Sequence, residues 1–296
     1  MRQVAFNACA AVAAERWPAD GANPHYAWQL YHLWANLAVL NRLRRARGLN
    51  TLSLRPHAGE CAGSGTHLAA AYLLAQSINH GVELRSSIGL QYLYLLDQVG
   101  MSVSPLSNDF LFLRLKDSPF PKFFAAGMNV TLSTDDPLLF HLSSEPLLEE
   151  YTVARAAFGL SMTDLCEIAR NSVLQSDFPA PFKASWLGAA HAHEGELRND
   201  EHRTNVCGLR EAFRWNLLSR ERSFVKACGG SGGGKGGGGG GGGEGESASG
   251  GSVMRAAFPP TDGAEAEGRP ASLDAQPRYS DGEALGPAKR ARAQFE

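Results

Sequence analysis

The 296 residues include 28 basic and 30 acidic side chains, a formal net charge of −2. That length holds one large domain or two ordinary ones, and the near-neutral balance gives no reason to expect a nucleic-acid partner. Five cysteines, odd in number and without CxxC spacing, suggest neither a disulfide framework nor a cysteine zinc module and fit a reducing, cytoplasmic compartment.

The chain opens MRQVAFNACAAVAAERWPADG, where Glu15 and a weak apolar centre argue against a secretory signal; residues 1–22 carry no assignment. No apolar run reaches the roughly 18 residues of a membrane span. Residues 28–47 place Leu30, Leu33, Trp34, Leu37, Leu40 and Leu43 at helical spacing, with Gly48 where a cap glycine belongs. A short apolar strand is predicted over 52–56, a helix over 67–76 and a strand over 77–81. A helix over 88–98 precedes a strand over 101–106, and a short helix over 120–126 precedes a strand over 129–133. Helices follow over 146–158, 163–171 and 182–187. Near Cys228 the composition breaks into GGSGGGKGGGGGGGGEGESASGGS, which loses maximal backbone entropy on ordering and has nothing to bury. Residues 229–296 therefore read as a disordered tail, and Lys289, Arg290 and Arg292 within it as solvated charge. The folded part spans 23–228.

Strands alternating with helices imply a parallel sheet, since each parallel return needs a crossover. Every predicted strand ends in chemically capable residues: His57 and Glu60, His80, Ser107 and Asn108, Asp135 and Asp136. A TIM-type (β/α)8 barrel places its site at such carboxyl ends. A doubly wound sheet does so too, but no Gly-rich phosphate fingerprint follows a strand, and the polyglycine tract precedes no helix. Singly, each residue has a structural reading: a satisfied histidine, a solvated carboxylate or, for the TDDP aspartates, a helix N-cap. Their recurrence at successive strand ends makes His57 and Asp135 candidate metal ligands. It makes Glu60, His80 and Asp136 candidate proton carriers or substrate anchors.

SLRPHAGE, SINHG, SPLSN and LSTDDPLLFHLSSEPLLEEY resemble the strand ends of AMP deaminases, zinc enzymes of the adenosine/AMP deaminase barrel superfamily. The likeness extends through LCEIARNSVLQS (165–176) and RTNVCGLREAFR (203–214), and upstream over 23–49. The HAGE, HG and TDDP endings are common to adenosine deaminases, whereas EPLLEEY, RNSVLQS and RTNV favour the AMP enzymes. The resemblance implies that His57 and Asp135 ligate a zinc ion, that Glu60 hydrogen-bonds purine N1 and supplies its proton, and that His80 takes a proton from the attacking water. It further implies Asp136 beside the purine near N7, with Pro137, Leu138 and Leu139 lining a nucleotide pocket. The implied reaction converts AMP to IMP and ammonia.

The family draws two further zinc ligands from a His-x-His on the first barrel strand, and no predicted strand of this chain ends in that pattern. Its one His-x-His, His191 and His193, follows the predicted strands and is expected in a surface loop. The expected fold is therefore an incomplete TIM-type (β/α)8 barrel, about the last four βα units plus C-terminal helices, followed by the tail. Four strands of eight do not close a barrel. The chain alone is thus expected to bind zinc weakly, and either to form a homo-oligomer or to be completed by another chain. Two other readings stay open: a non-catalytic remnant or interaction partner of a full-length AMP deaminase, and a nucleoside deaminase of the adenosine type. Within GECAGSGTHL the chain carries one residue more than the family, which either shifts Glu60 or lengthens a loop.

Overall fold

A computed structural model of the chain describes residues 24–230. The expectations for residues 1–22 and for the tail from residue 231 lie outside the described residues. The order begins α1 (Tyr26–Ala46), β1 (His57–Ala58), α2 (Gly65–Leu74), β2 (Ser77–His80) and α3 (Ile88–Leu96). It continues β3 (Gly100–Val103), α4 (Pro105–Leu111), α5 (Phe120–Ala125), β4 (Val130–Leu132) and α6 (Pro137–Phe140). It closes with α7 (Pro146–Phe158), α8 (Met162–Gln175), α9 (Ala180–Leu187), α10 (Glu201–Thr204) and α11 (Gly208–Gly230).

The four strands form one parallel sheet in the order β1-β2-β3-β4, with Met101 in register with Ile78 on one side and Val130 on the other. The expected α/β class with a parallel sheet is what the structure contains. Parallel strands carry helices on their faces and so bury continuous apolar runs. Accordingly Ile78, Met101, Val130 and Leu132 are all buried, packed with Leu68, Leu84, Tyr94, Phe120 and Ile168 from the surrounding helices. Buried Tyr94 keeps its hydroxyl satisfied by donating to the Leu68 carbonyl oxygen at 3.0 Å. Phe120 stacks on Phe158 at 5.5 Å, which seats α7 on α5.

Some predicted boundaries move, for local reasons. The strand expected over 52–56 pairs as a ladder only from His57, because Pro56 has no N–H to contribute. The stretch before it is still extended alongside β2, since Leu54 and Pro56 carbonyls accept from Gln76 and Asn79 amides. Its outer side is closed by α1: the Asn41 amide donates to Leu52 O and accepts from Leu52 N, both at 2.8 Å. The strand expected over 101–106 stops at Val103, and Pro105 starts α4, proline suiting the first helical position. Helix α8 outruns its expected end to Gln175, and a capping box of Ser161 and Asp164 fixes its start.

The long α11 reaches Gly230, two residues past the expected boundary. It is clasped to α8 by ion pairs. Arg170 and Arg198 both reach Glu211, at 2.7 and 2.6 Å, while Arg210 and Arg214 reach Glu167, at 2.9 and 3.0 Å. The segments RNSVLQS and RTNV…FR, far apart in sequence, therefore meet as one charged joint at the amino ends of β3 and β4.

Candidate metal and catalytic site

Each strand presents its polar ending through a bend at its carboxyl end. After β1, Gly59 turns at φ +69°, and a Cβ there would stand 2.8 Å from the Leu68 side chain. Only glycine lets this turn lie against α2, and the turn brings Glu60 over the end of β2. His80 closes β2 at φ +67°, and Asp135 follows β4 at φ +53°. Left-handed backbone at a non-glycine residue costs on the order of 1–2 kcal/mol, and strain of this kind gathers at functional sites.

The side chains converge. His57, His80 and Asp135 each offer a ligand atom, all within 4.8 Å of one another. His80 Nε2 lies 3.5 Å from Glu60 Oε1 and 3.9 Å from Asp135 Oδ2, and the His57 and His80 rings are 4.9 Å apart. Ser107 Oγ donates to Asp135 Oδ2 at 2.7 Å, and the Asn108 side-chain amide lies 3.2 Å from His80 Nδ1. From α1, the Tyr26 hydroxyl donates to the His57 carbonyl oxygen at 2.7 Å while its ring stacks on His67 at 4.0 Å.

Burial, together with the neighbouring His57, pushes the His80 imidazole down to about 4, against the smaller pull of Asp135 and Asn108. It is a neutral base at ordinary pH. Burial also raises the Glu60 carboxyl; His57 opposes this, and Asp135 and Asp136 add to it. Two imidazoles and a carboxylate at this spacing, one imidazole held neutral, could hold a divalent metal ion. The structure adds His80 to the two ligand candidates read from the sequence.

The remaining candidates lie around this cluster. Asp136 is the exposed N-cap residue of α6, and its side chain makes no capping hydrogen bond. Pro137 is half-buried, and Leu138 and Leu139 are 97% and 72% exposed. His191 sits half-buried with its ring bonded to the Gly188 carbonyl at 3.0 Å, and His193 is exposed; neither joins a metal cluster among the described residues. After Glu60 the chain turns, with Ser64 N donating to Cys61 O at 3.2 Å, and Glu60 faces His80. A cavity of about 260 Å³ lies instead at the amino ends of β3 and β4, lined by Gln98, Asn129, Arg170 and Arg214 among others. It belongs to the charged joint rather than to this cluster. Sequence reasoning gave Ser107 and Asn108 no role beyond a strand end. Their signal was positional, since neighbouring parallel strands bring SPLSN beside both SINHG and STDD.

The AMP deaminase family profile matches residues 6–228. This chain belongs to the AMP deaminase family. It is 51% identical over 216 residues to the AMP deaminase of Dictyostelium discoideum, 71% of this chain and 27% of that protein. It is 52% identical over 203 residues to the AMP deaminase of Saccharomyces cerevisiae, 69% of this chain and 25% of that protein. It spans about a quarter of the length of these curated relatives. Among solved structures, an adenine deaminase from Arthrobacter aurescens is similar at TM-score 0.45 and 20% identity, over 76% of this chain and 58% of that one. Among the described residues no helix is long and apolar enough to cross a membrane.

Proposed function

We propose that residues 23–228 form the C-terminal half of an AMP deaminase barrel, an incomplete (β/α)8 unit. Its completed site would hydrolyse AMP to IMP and ammonia in cytoplasmic purine nucleotide metabolism. The observation that carries this is the convergence of His57, Glu60, His80 and Asp135 at the carboxyl ends of β1, β2 and β4 in a chain of this family.

In this reading His57 and Asp135 would hold one zinc ion, and another chain would supply the strand-end His-x-His that the described strands do not carry. Bound there, zinc lowers the pKa of a water towards neutrality. The Asn108 amide oxygen is buried without a partner, and an amide flip brings it to His80 Nδ1. Nδ1–H then donates to it, leaving the Nε2 lone pair free to accept a proton from the attacking water. Glu60, biased by burial towards the protonated carboxyl, hydrogen-bonds purine N1 and delivers its proton there. Water adds at C6 and ammonia leaves, one molecule in and one out. Asp136 contacts the purine near N7, and the nucleotide covers Pro137, Leu138 and Leu139.

Alone, the chain is expected to hold zinc far below stoichiometry and to release little ammonia, measured by elemental analysis and by ammonia assay with AMP and with adenosine. Joined to the preceding part of the Saccharomyces cerevisiae AMP deaminase, it should take up one zinc per chain and deaminate AMP in preference to adenosine. His57→Ala should abolish both. A folded chimera with neither zinc nor ammonia release would overturn the reading.

A further inference from the structure

α4 begins without a cap of its own. Its N-cap residue Ser104 makes no capping hydrogen bond, because its hydroxyl is engaged with Ser133 Oγ at 2.7 Å. Pro105 has no N–H, so the first free donor of the helix is the Leu106 amide, one of the groups a helix leaves unpaired at its start. That amide donates to Glu150 Oε1 at 2.8 Å, across 44 residues of sequence. The other oxygen, Glu150 Oε2, is 2.7 Å from His141 Nε2, and both side chains are 0% exposed. The two residues that follow Leu106 are Ser107, on Asp135, and Asn108, on His80.

We propose that Glu150 is a positioning residue: locked by His141, its carboxylate fixes the first turn of α4 so that Ser107 and Asn108 meet Asp135 and His80. A buried carboxylate is a poor source of stability, because its desolvation offsets what its partners return; Ala154, the other buried residue of α7, shows that this helix face packs without charge. What an acceptor provides here is direction. It ties one amide to one place, and the next two side chains inherit that place. The assignment rests on the roles proposed above for Asp135 and His80, but the contact itself stands apart from any metal.

The test uses the metal-free 296-residue chain. In the unmodified protein the Leu106 amide is expected to exchange with solvent at least tenfold more slowly than an unpaired first-turn amide; free exchange there overturns the proposal without any variant. Glu150→Met keeps the volume and removes the acceptor. It is expected to release the Leu106 amide and to move the His80 ring ¹⁵N and Asn108 side-chain amide resonances, while Ile78 and Met101 amides stay protected. Glu150→Gln, which retains an acceptor for Leu106, should restore both signals. Ile168→Val, which removes a buried methyl group on α8, should speed exchange broadly without moving the His80 ring signals. If Glu150→Met leaves the His80 and Asn108 signals in place, or Ile168→Val moves them equally, Glu150 is structural only. A chain that fails to bind zinc or release ammonia counts against the proposed function and leaves these readouts intact.

Discussion

At the carboxyl ends of the strands burial raises the Glu60 carboxyl, against His57 and with the nearby carboxylates of Asp135 and Asp136 adding to the rise. At the amino ends every carboxylate of the α8–α11 joint has guanidinium partners: Glu211 takes Arg170 and Arg198, Glu167 takes Arg210 and Arg214. One end gathers carboxylates beside one another; the other gives each of its buried carboxylates two guanidinium partners. Both are carried by segments that resemble the same family. The joint ties α8 to α11, whereas in the proposed function the other cluster is arranged to hold a metal ion.

The sharpest way to break that contrast is to remove a charge from the joint. Glu211→Leu leaves Arg170, which is 4% exposed, facing Arg198 without its ion-pair partner. Losing one partner of a buried pair costs about 3–5 kcal/mol, and urea unfolding with an unchanged m-value should show a loss of that size. Arg198→Ala should cost less than about 1 kcal/mol, since that side chain is 36% exposed and Arg170 remains on Glu211. Equal losses from the two variants would mean that burial is not what gives the joint its strength.

Acid should act on the same end, less strongly. Burial pushes the Glu211 carboxyl up, but Arg198 and Arg170 outweigh it, and the group lies below its ordinary value. A carboxyl whose folded pKa is depressed contributes stability above its unfolded pKa, about 4.3. That contribution is lost as pH falls through the folded value. Asp164, at the start of α8, is lowered in the same sense: burial opposes, while Ser161 and Arg210 prevail. The unfolding free energy is therefore expected to fall as pH drops below about 4, and Glu211→Gln should flatten that limb. An acid limb identical in the two proteins would remove the joint as its cause.

What the sequence made legible follows from which signals are local. The parallel sheet could be read because strands of the SINH and VTL kind alternate with helical runs, and the ends of those strands carry His57, Glu60, His80 and Asp135 in view. The partners of those residues could not be read. Ser107 meets Asp135 and Asn108 meets His80 only because β3 lies between β2 and β4 in register, and Glu150 reaches Leu106 only because α7 packs back over α4. The ladder at β1 begins late because Pro56 lacks a donor, a fact present in the sequence but outweighed there by the apolar TLSL before it. α11 was missed since its charged face reads as solvated until Arg210, Glu211 and Arg214 find α8.

The smallest stability effect belongs to the site itself, and it is the most discriminating. Asp135 has one direct side-chain hydrogen-bond donor, Ser107, and sits in left-handed backbone at φ +53°, which asparagine tolerates as well as aspartate. Asp135→Asn keeps the acceptor oxygen for Ser107 and removes a negative charge from beside Glu60. Its effect on unfolding free energy should therefore stay within about 1 kcal/mol of zero, where Glu211→Leu at the other end loses several times as much. Metal affinity should move the opposite way between the two. Titrating Co²⁺ into the chimera and following its visible absorption, Asp135→Asn should weaken binding at least tenfold, because an amide oxygen carries no charge to offset the ion's. A variant that lost several kcal/mol yet bound Co²⁺ as before would make Asp135 part of the scaffold and erase the distinction between the two ends of the sheet.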